Sequence, residues 1–388
     1  MHNDLKDHLW EGRADIDDDG EDEIINGWNF IANNDNIIDD FGHGTHCAGI
    51  VCGDGTSGQI SGVAPDATLM TVKIVGRAGG GTVAQMLNGV QFAVDNGADI
   101  LSMSLGFKNY QITTEEKELI RETFDNVLNA GVIVCAAAGN DGNTYGAPYN
   151  IDYPAACPSP WRHPDQALGG ELSSVVCVGA SDLIGQSSQG PSTWQDTKYN
   201  EYPYDGATNM GLTRPDISAP GNMVYSLNNL YNDKYKQMSG TSQSTPCVAG
   251  VMALMLEKNS SLTPAQITEI IETTAADKPS TKNNVVGSGR VDALAAVNAV
   301  EEGTRAPFIT FQSCTPGTIT QGDNKIIDVL VKNDGKGSSL TTTTATLSLH
   351  NDPYVTIVNT IDTLGQISSG YTRTASFTLN IDPQTPNG

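Results

Sequence analysis

At 388 residues, with 38% hydrophobic residues and 41 glycines, the chain is long enough for one large globular domain and a smaller one, and its composition is not that of a disordered protein. A net charge of −24 leaves no basic patch to neutralise phosphates, which excludes nucleic acid as an expected partner, and no apolar run approaches the ~18 residues of a membrane span. The excess is uneven: residues 1–40 hold 13 Asp and Glu against Lys6 and Arg13, a mark of a local cation-binding loop more than of a uniformly acidic surface.

In chain order, that acidic stretch comes first. Asp15, Asp17, Asp19 and Glu23 occupy positions 1, 3, 5 and 9 of a calcium-loop pattern, with Gly20 at position 6 for the sharp turn. Asn26 stands at position 12 in place of the bidentate glutamate, so the loop is no EF-hand. Like charges this close repel unless a hard cation neutralises them. The expectation is a structural calcium ion on Asp15, Asp17, Asp19 and Glu23; the rival is a solvated acidic insertion.

Short apolar strands then alternate with helical stretches through the first 300 residues, the pattern of a parallel sheet with helices on both faces. Residues 67–74 read as a strand. Residues 82–96 carry a helical stripe (Val83, Met86, Leu87, Val90, Val94) closed by Gly97. A strand follows at 99–105. A second amphipathic helix at 113–130 has Glu115, Glu116 and Glu118 in its first turns, where the helix dipole favours acids, and Gly131 closes it. Residues 132–136 form a buried strand, and helices are expected from Ser242 to about Lys258, over 263–274 and near 291–300. Around 304–307 the character changes to Thr, Ser and Val in period-two alternation, as at 327–329 and 375–381, with a turn at Asn333-Asp334-Gly335. This predicts a small antiparallel β-sandwich over 307–388 behind an α/β domain over 1–303.

Seven cysteines cannot all pair within one chain. Cys47, Cys135, Cys177 and Cys247 lie among small or apolar neighbours, where a free thiol behaves as a compact hydrophobe. Cys157 and Cys177 flank an insertion and are the candidate bridge, with free thiols as the competing reading.

The densest chemical signal is Gly240-Thr241-Ser242-Gln243-Ser244-Thr245-Pro246, a serine opening an apolar helix. There, backbone N–H groups and the positive helix end can stabilise an oxyanion. Alone it is weak, since Ser and Thr are ordinary caps. It gains force beside Gly42-His43-Gly44-Thr45-His46-Cys47-Ala48-Gly49 and Ala136-Ala137-Ala138-Gly139-Asn140. A base, an amide donor and a nucleophile in this order resemble the subtilases, the subtilisin-like serine peptidases. Arg214-Pro215-Asp216-Ile217-Ser218-Ala219-Pro220-Gly221 is a further family-like segment, and the resemblance covers roughly residues 2–300.

The resemblance implies a three-layer α/β fold of the subtilisin type and a serine endopeptidase acting on proteins or peptides, while the sandwich expected over 307–388 resembles the immunoglobulin-like modules often appended to secreted peptidases. His43 would be the general base, Ser242 the nucleophile and Asn140 the side-chain oxyanion donor, with His46 structural. Gly79, Gly80 and Gly81 on one side and Ser104, Leu105 and Gly106 on the other would hold an extended peptide as an added strand. Ala138 and Gly139 would wall the pocket for the residue before the cut. His-Gly-Thr-His-Cys resembles the proteinase K-like branch, where a free Cys47 packs beneath the histidine; i and i+4 share a helix face. Gln243 and Cys247 depart from the Met and His common after the serine.

A larger departure is the triad acid. In subtilases it ends a strand several residues before the motif matched by His2-Asn3-Asp4-Leu5, a position preceding Met1; Asp4 belongs to the downstream motif, so the chain as read carries a dyad. The expectation is an aspartate and a signal segment encoded upstream, and a monomeric, secreted or cell-surface enzyme. A non-catalytic homologue that binds peptides or acts as a scaffold is the first rival. An esterase is disfavoured, because Gly-x-Ser-x-Gly is absent around Ser242.

Overall fold

The computed structural model describes the chain except for residues 15–22, 59–60, 143, 145–149, 166–170, 184–189, 193–211, 302–308, 316–321, 323, 334–342, 348–353, 369–370 and 385–388. The chain divides into two compact units, Met1–Glu257 with Leu262–Val300, and Lys258–Ser261 with Glu301–Gly388.

The first unit opens with a 3-10 helix, Asn3–His8, and the strands β1 (Gly12–Ala14), β2 (Glu23–Ile25) and β3 (Gly27–Asn29). Helix α1 (His43–Cys52), β4 (Thr71–Lys73), α2 (Val83–Asp95), β5 (Ile100–Met103), α3 (Thr114–Asn129), β6 (Ile133–Ala137) and β7 (Val175–Ala180) follow. Next come β8 (Gly190–Ser192), β9 (Leu212–Arg214), β10 (Ile217–Ala219), the hairpin β11 (Val224–Leu227) with β12 (Tyr235–Met238), and α4 (Thr241–Lys258), α5 (Pro264–Thr274) and α6 (Ala293–Ala299).

The central sheet is parallel throughout, in the order β10-β7-β6-β5. Every residue of β6 and β7 is buried, so these strands read as continuous apolar runs instead of alternating ones. Alternation survives in what each side chain touches. Val134, Ala136, Val175 and Cys177 pack with Met86 and Val90 of α2 and Ile120 and Phe124 of α3. Ile133, Cys135, Val176 and Val178 pack with Val248, Val251 and Met252 of α4 and Ile267 and Ile271 of α5. Helices thus cover both faces, the expected α/β architecture.

Local chemistry sets the helix ends. Thr82, Thr113 and Thr263 each cap a helix and are answered by Gln85, Glu116 and Gln266 three residues on. Gly97 and Gly131, both at φ +79°, end α2 and α3 in the left-handed region that a side chain would penalise. The strand expected over 67–74 is shorter than its apolar run: only Thr71–Lys73 pairs as a strand, with β3, while Leu69 makes a single bridge to Leu9.

The candidate Cys157–Cys177 bridge is not formed, and the competing free-thiol reading holds. All seven cysteines are free, and Cys47, Cys52, Cys135, Cys157 and Cys177 are buried among apolar groups that need no covalent tie.

The second unit contains β13 (Ile309–Thr315), β14 (Asn324–Asn333), β15 (Thr344–Thr346), β16 (Val355–Ile357), β17 (Ile361–Thr363) and β18 (Thr372–Ile381). A four-stranded antiparallel sheet runs β13-β14-β18-β16, and β15 pairs with β17. The two stretches read as alternating pair directly, Ile327 opposite Phe377 and Val329 opposite Ala375. Phe377, Leu379 and Ile381 form the buried cluster, against which Ala345 and Leu347 pack. The turn expected at 333–335 runs past Asn333 into residues outside those described.

Candidate active site

The three motifs approach one another around the start of α4: Cys47 of α1 and Ser104 after β5 donate to the Ser242 carbonyl, and Asn140 after β6 accepts from Thr241. His43 is the first residue of α1. Its preceding Gly42, at φ +92°, cannot carry a side chain: a Cβ there would lie 2.6 Å from Lys236 Nζ and closer still to the Asn229 carboxamide. The helix start is fixed by Asp39. Its Oδ1 accepts from the N–H groups of Phe41 (2.9 Å) and Gly42 (2.6 Å), and its Oδ2 from Thr45 N–H (2.8 Å) and Thr45 Oγ1 (2.7 Å). Burial raises the Asp39 carboxyl, but these bonds outweigh it and hold the pKa below its ordinary value.

Burial also acts on His43, lowering its pKa; the Asp39 charge opposes the shift and Lys236 adds to it. The result favours the neutral imidazole, the form that can accept a proton. His46 is fully buried, with Nε2 against the carbonyls of Val224 and Lys236 (both 3.2 Å), and burial lowers it to about 4. It ties α1 to the β11–β12 hairpin, which fits the structural role expected of it.

Ser242 is the second residue of α4. Its hydroxyl donates to the Ser104 carbonyl at 3.3 Å. Four residues later stands Pro246, which has no N–H to give the Ser242 carbonyl. That freed carbonyl accepts instead from Ser104 Oγ (2.7 Å) and Cys47 Sγ (3.4 Å). A helix defect thereby knits α4 to α1 and to the end of β5.

Asn140 is oriented by its neighbour. Thr241 N–H donates to Asn140 Oδ1 at 3.0 Å, so the amide presents its oxygen to α4 and leaves Nδ2 as the outward donor. Thr241 Oγ1 also accepts from Gly139 N–H (3.2 Å) and donates to the Gly139 carbonyl (3.1 Å), which locks 139–140 onto the serine segment.

The other expected residues fall as follows. Gly79 (φ +79°) lies against the Phe41 ring, 3.2 Å from a notional Cβ to Cζ, and Phe41 in turn sits 6.4 Å from the His43 ring. Gly80 closes the turn by accepting from Gly76 N–H at 3.0 Å. A Cβ on Gly81 would collide with the Ile74 carbonyl, so glycine is required there. Leu105 packs on the core, and Gly106 is exposed. Ala138 is buried between Val178, whose carbonyl accepts its N–H, and Asp152, whose N–H donates to its carbonyl.

Cys47 is a free thiol on the same helix as His43, but its hydrogen bond goes to the Ser242 carbonyl, and burial raises it to about 12. It is protonated at neutral pH. Of the metal candidates, Asp15, Asp17 and Asp19 lie outside the described residues, and Glu23 starts β2 opposite Ala14. Among the described residues, no three His, Cys, Asp or Glu are grouped to hold a metal ion. Asp39 and Pro246 were not singled out from the sequence, although an Asp shortly before a helical histidine and a Pro inside a helix are both legible signals.

The sequence profile of the Subtilase family matches residues 1–289, and the chain belongs to that family. It is 33% identical over 299 residues to the serine protease AprX of Bacillus subtilis (strain 168), covering 71% of this chain and 62% of AprX. Thermitase of Thermoactinomyces vulgaris is 32% identical over 276 residues, covering 71% of this chain and 81% of thermitase. Subtilisin Savinase of Lederbergia lenta is 33% identical over 273 residues, covering 70% and 84%. A solved structure of a cold adapted subtilisin-like serine proteinase is 27% identical, with a TM-score of 0.46, covering 69% of this chain and 78% of that one.

Proposed function

We propose that this protein is a serine endopeptidase. Ser242 Oγ attacks the scissile carbonyl, His43 takes its proton and returns it to the leaving amine, and an acyl-enzyme on Ser242 is hydrolysed by the reverse sequence. The oxyanion is received by Asn140 Nδ2 and the Ser242 N–H at the positive end of α4. The observation that carries this reading is the Thr241 N–H on Asn140 Oδ1, which aims an amide donor beside the serine before any substrate arrives. Relatives named as serine protease AprX, thermitase and subtilisin support it.

The peptide is held as a strand between Gly79-Gly80-Gly81 and Ser104-Leu105-Gly106, with Ala138-Gly139 walling the P1 pocket. The peptidase domain occupies 1–303, and 307–388 forms a separate β-sandwich. Calcium is the cation of the acidic loop, held by Asp15, Asp17, Asp19 and Glu23. The enzyme is a monomer working outside the cell or at its surface; fractionation tests that location, since one relative is named the major intracellular serine protease of Bacillus subtilis.

The deciding experiment is fluorophosphonate labelling of the protein as its gene encodes it, with the modified peptide mapped. Labelling at Ser242 that is lost in His43→Ala is expected. An unlabelled protein that still binds peptides would establish the non-catalytic scaffold instead. For the metal, calcium should raise the thermal midpoint by binding the folded state. Asp17→Ala with Asp19→Ala should abolish that gain, and an unchanged response would place calcium elsewhere.

A further inference from the structure

A charged triplet adjoins the two segments proposed to wall the P1 pocket. Lys108 Nζ pairs with Asp152 Oδ2 at 3.1 Å and with Asp141 Oδ2. Asp152 joins the segments: its N–H donates to the Ala138 carbonyl (3.1 Å), and its carboxylate lies against Gly106, where a Cβ would stand 2.6 Å from Asp152 Cβ and 3.2 Å from Oδ2. A side chain on Gly106 would therefore collide with Asp152, and glycine there lets the Asp152 side chain pack directly against the 104–106 segment.

The triplet is not self-sufficient. Within it one ammonium, Lys108, is shared between two carboxylates. The Asp152 side chain is only 9% exposed, yet among the described residues its Oδ1 has no hydrogen-bond partner. Lys108 and Asp141 are each 26% exposed, so this end of the site stays open to an incoming group. Burial, with the Asp141 charge, raises the Asp152 carboxyl against the pull of Lys108. An apolar P1 side chain packed here would dehydrate an unpaired carboxylate oxygen further, and an acidic one would add repulsion. A guanidinium or ammonium would supply the missing donor to Asp152 Oδ1.

We propose that Asp152, with Asp141 behind it and Lys108 as a resident counter-ion, makes the pocket select a basic residue, Arg or Lys, at P1. This rests on the peptidase reading and on its placement of the cleft. Lys108 moderates the preference by occupying Oδ2. The selectivity should therefore be graded, since a pairing with a charged group is worth about 10–100-fold.

The test is a set of tetrapeptide p-nitroanilides differing only at P1 (Arg, Lys, Phe, Leu, Glu), assayed with the full-length protein. For the parent, kcat/KM for Arg and Lys is expected to exceed that for Phe and Leu by about tenfold or more, with Glu poorest. Asp152→Asn keeps the backbone bond to Ala138 and should lower the Arg-to-Phe ratio about 10–100-fold. Lys108→Met should move the ratio the other way. A parent that prefers Phe or Leu, or an Asp152→Asn ratio within twofold of the parent, overturns the inference. If Asp152→Asn does not melt cooperatively, Lys108→Met decides: a raised ratio supports the inference, and an unchanged or lowered one refutes it. Failure of the underlying reading looks different, since Ser242 would then resist fluorophosphonate and no substrate in the set would be cleaved.

Discussion

Two polar regions of the first unit solve opposite problems. Around His43, Asn140 and Ser242, polar groups sit at helix ends, partly open to solvent, and their fixed hydrogen bonds run mainly to the backbone. Behind the central sheet, Arg214, Asp216, Lys282 and Glu272 form a network that is almost wholly buried. Arg214 Nη1 donates to Asp216 Oδ1 (2.6 Å), Lys282 Nζ donates to Asp216 Oδ1 and Glu272 Oε2 (both 2.8 Å), and Ser288 Oγ donates to Glu272 Oε2 (2.5 Å). Cys177 N–H completes Asp216 at 2.9 Å, and Arg214 Nη2 reaches the Cys157 carbonyl.

The more perturbed carboxyl lies in the network and not at the proposed reaction site. Burial and the Asp216 charge push Glu272 up to about 7, against Lys282 and Ser288. At Asp216 burial also raises, but Arg214, Lys282 and the Cys177 N–H outweigh it and lower the pKa. Perturbed titration marks functional sites only probabilistically. Here it marks β9, β10, α5 and the 276–290 segment being held together, whereas the proposed reaction site is marked by the exposed Asn140 amide and the partly exposed Ser242 hydroxyl.

Substitutions should separate the regions cleanly. Ser242→Ala should reduce turnover on the order of 10⁶-fold while leaving the thermal midpoint near the parent's, by peptidase assay and calorimetry. A large fall in stability would mean the serine segment is also structural.

Next in size, Asp216→Asn leaves the Arg214 and Lys282 charges undercompensated and should destabilise the fold by about 3–5 kcal/mol in denaturant melts, with kcat/KM near normal well below the transition. An equal loss of rate in the folded protein would show that the two regions are coupled through α4.

Asn140→Ala should lower kcat by about 10²–10³ with little change in KM, because the donor acts on the oxyanion and not on the bound substrate. A change mainly in KM would point to peptide binding as its role.

The smallest effect is in pH dependence. The folded Glu272 binds its proton up to about 7, above the unfolded value of 4.5. Its contribution is therefore full below pH 4.5 and is lost as pH rises towards 7, about 3 kcal/mol at most. Asp216 has the opposite sign, stabilising above its unfolded value of 3.8 and losing that contribution as pH falls. Glu272→Gln should flatten the stability profile between pH 4.5 and 7; an unchanged slope there would assign it to other groups, His163 among them.

What the sequence determined on its own is whatever local chemistry specifies. Thr82, Thr113 and Thr263 with their partners three residues on mark helix starts, and Gly97 and Gly131 mark helix ends, because capping and left-handed backbone depend on residues a few positions apart. The three motifs that converge were visible for a similar reason: each is a short segment that must carry its own turn and helix start. The strand at 67–74 was overlong, because apolar character shows burial but not which residues find a pairing partner.

Tertiary structure decided everything that depends on residues far apart in the chain. It set Asn140 Oδ1 on Thr241 N–H, 101 positions away, and gave the carbonyl freed by Pro246 to Ser104, 138 positions back. It gave the Cys47 thiol the Ser242 carbonyl, 195 positions away, as its acceptor, and it left Cys157 and Cys177 as buried free thiols. It also brought Lys108, Asp141 and Asp152 to one wall and left an oxygen of Asp152 unpaired. No window of sequence contains those contacts, because a charge's partner is chosen by the path of the whole chain, while a helix cap is chosen by its next three residues.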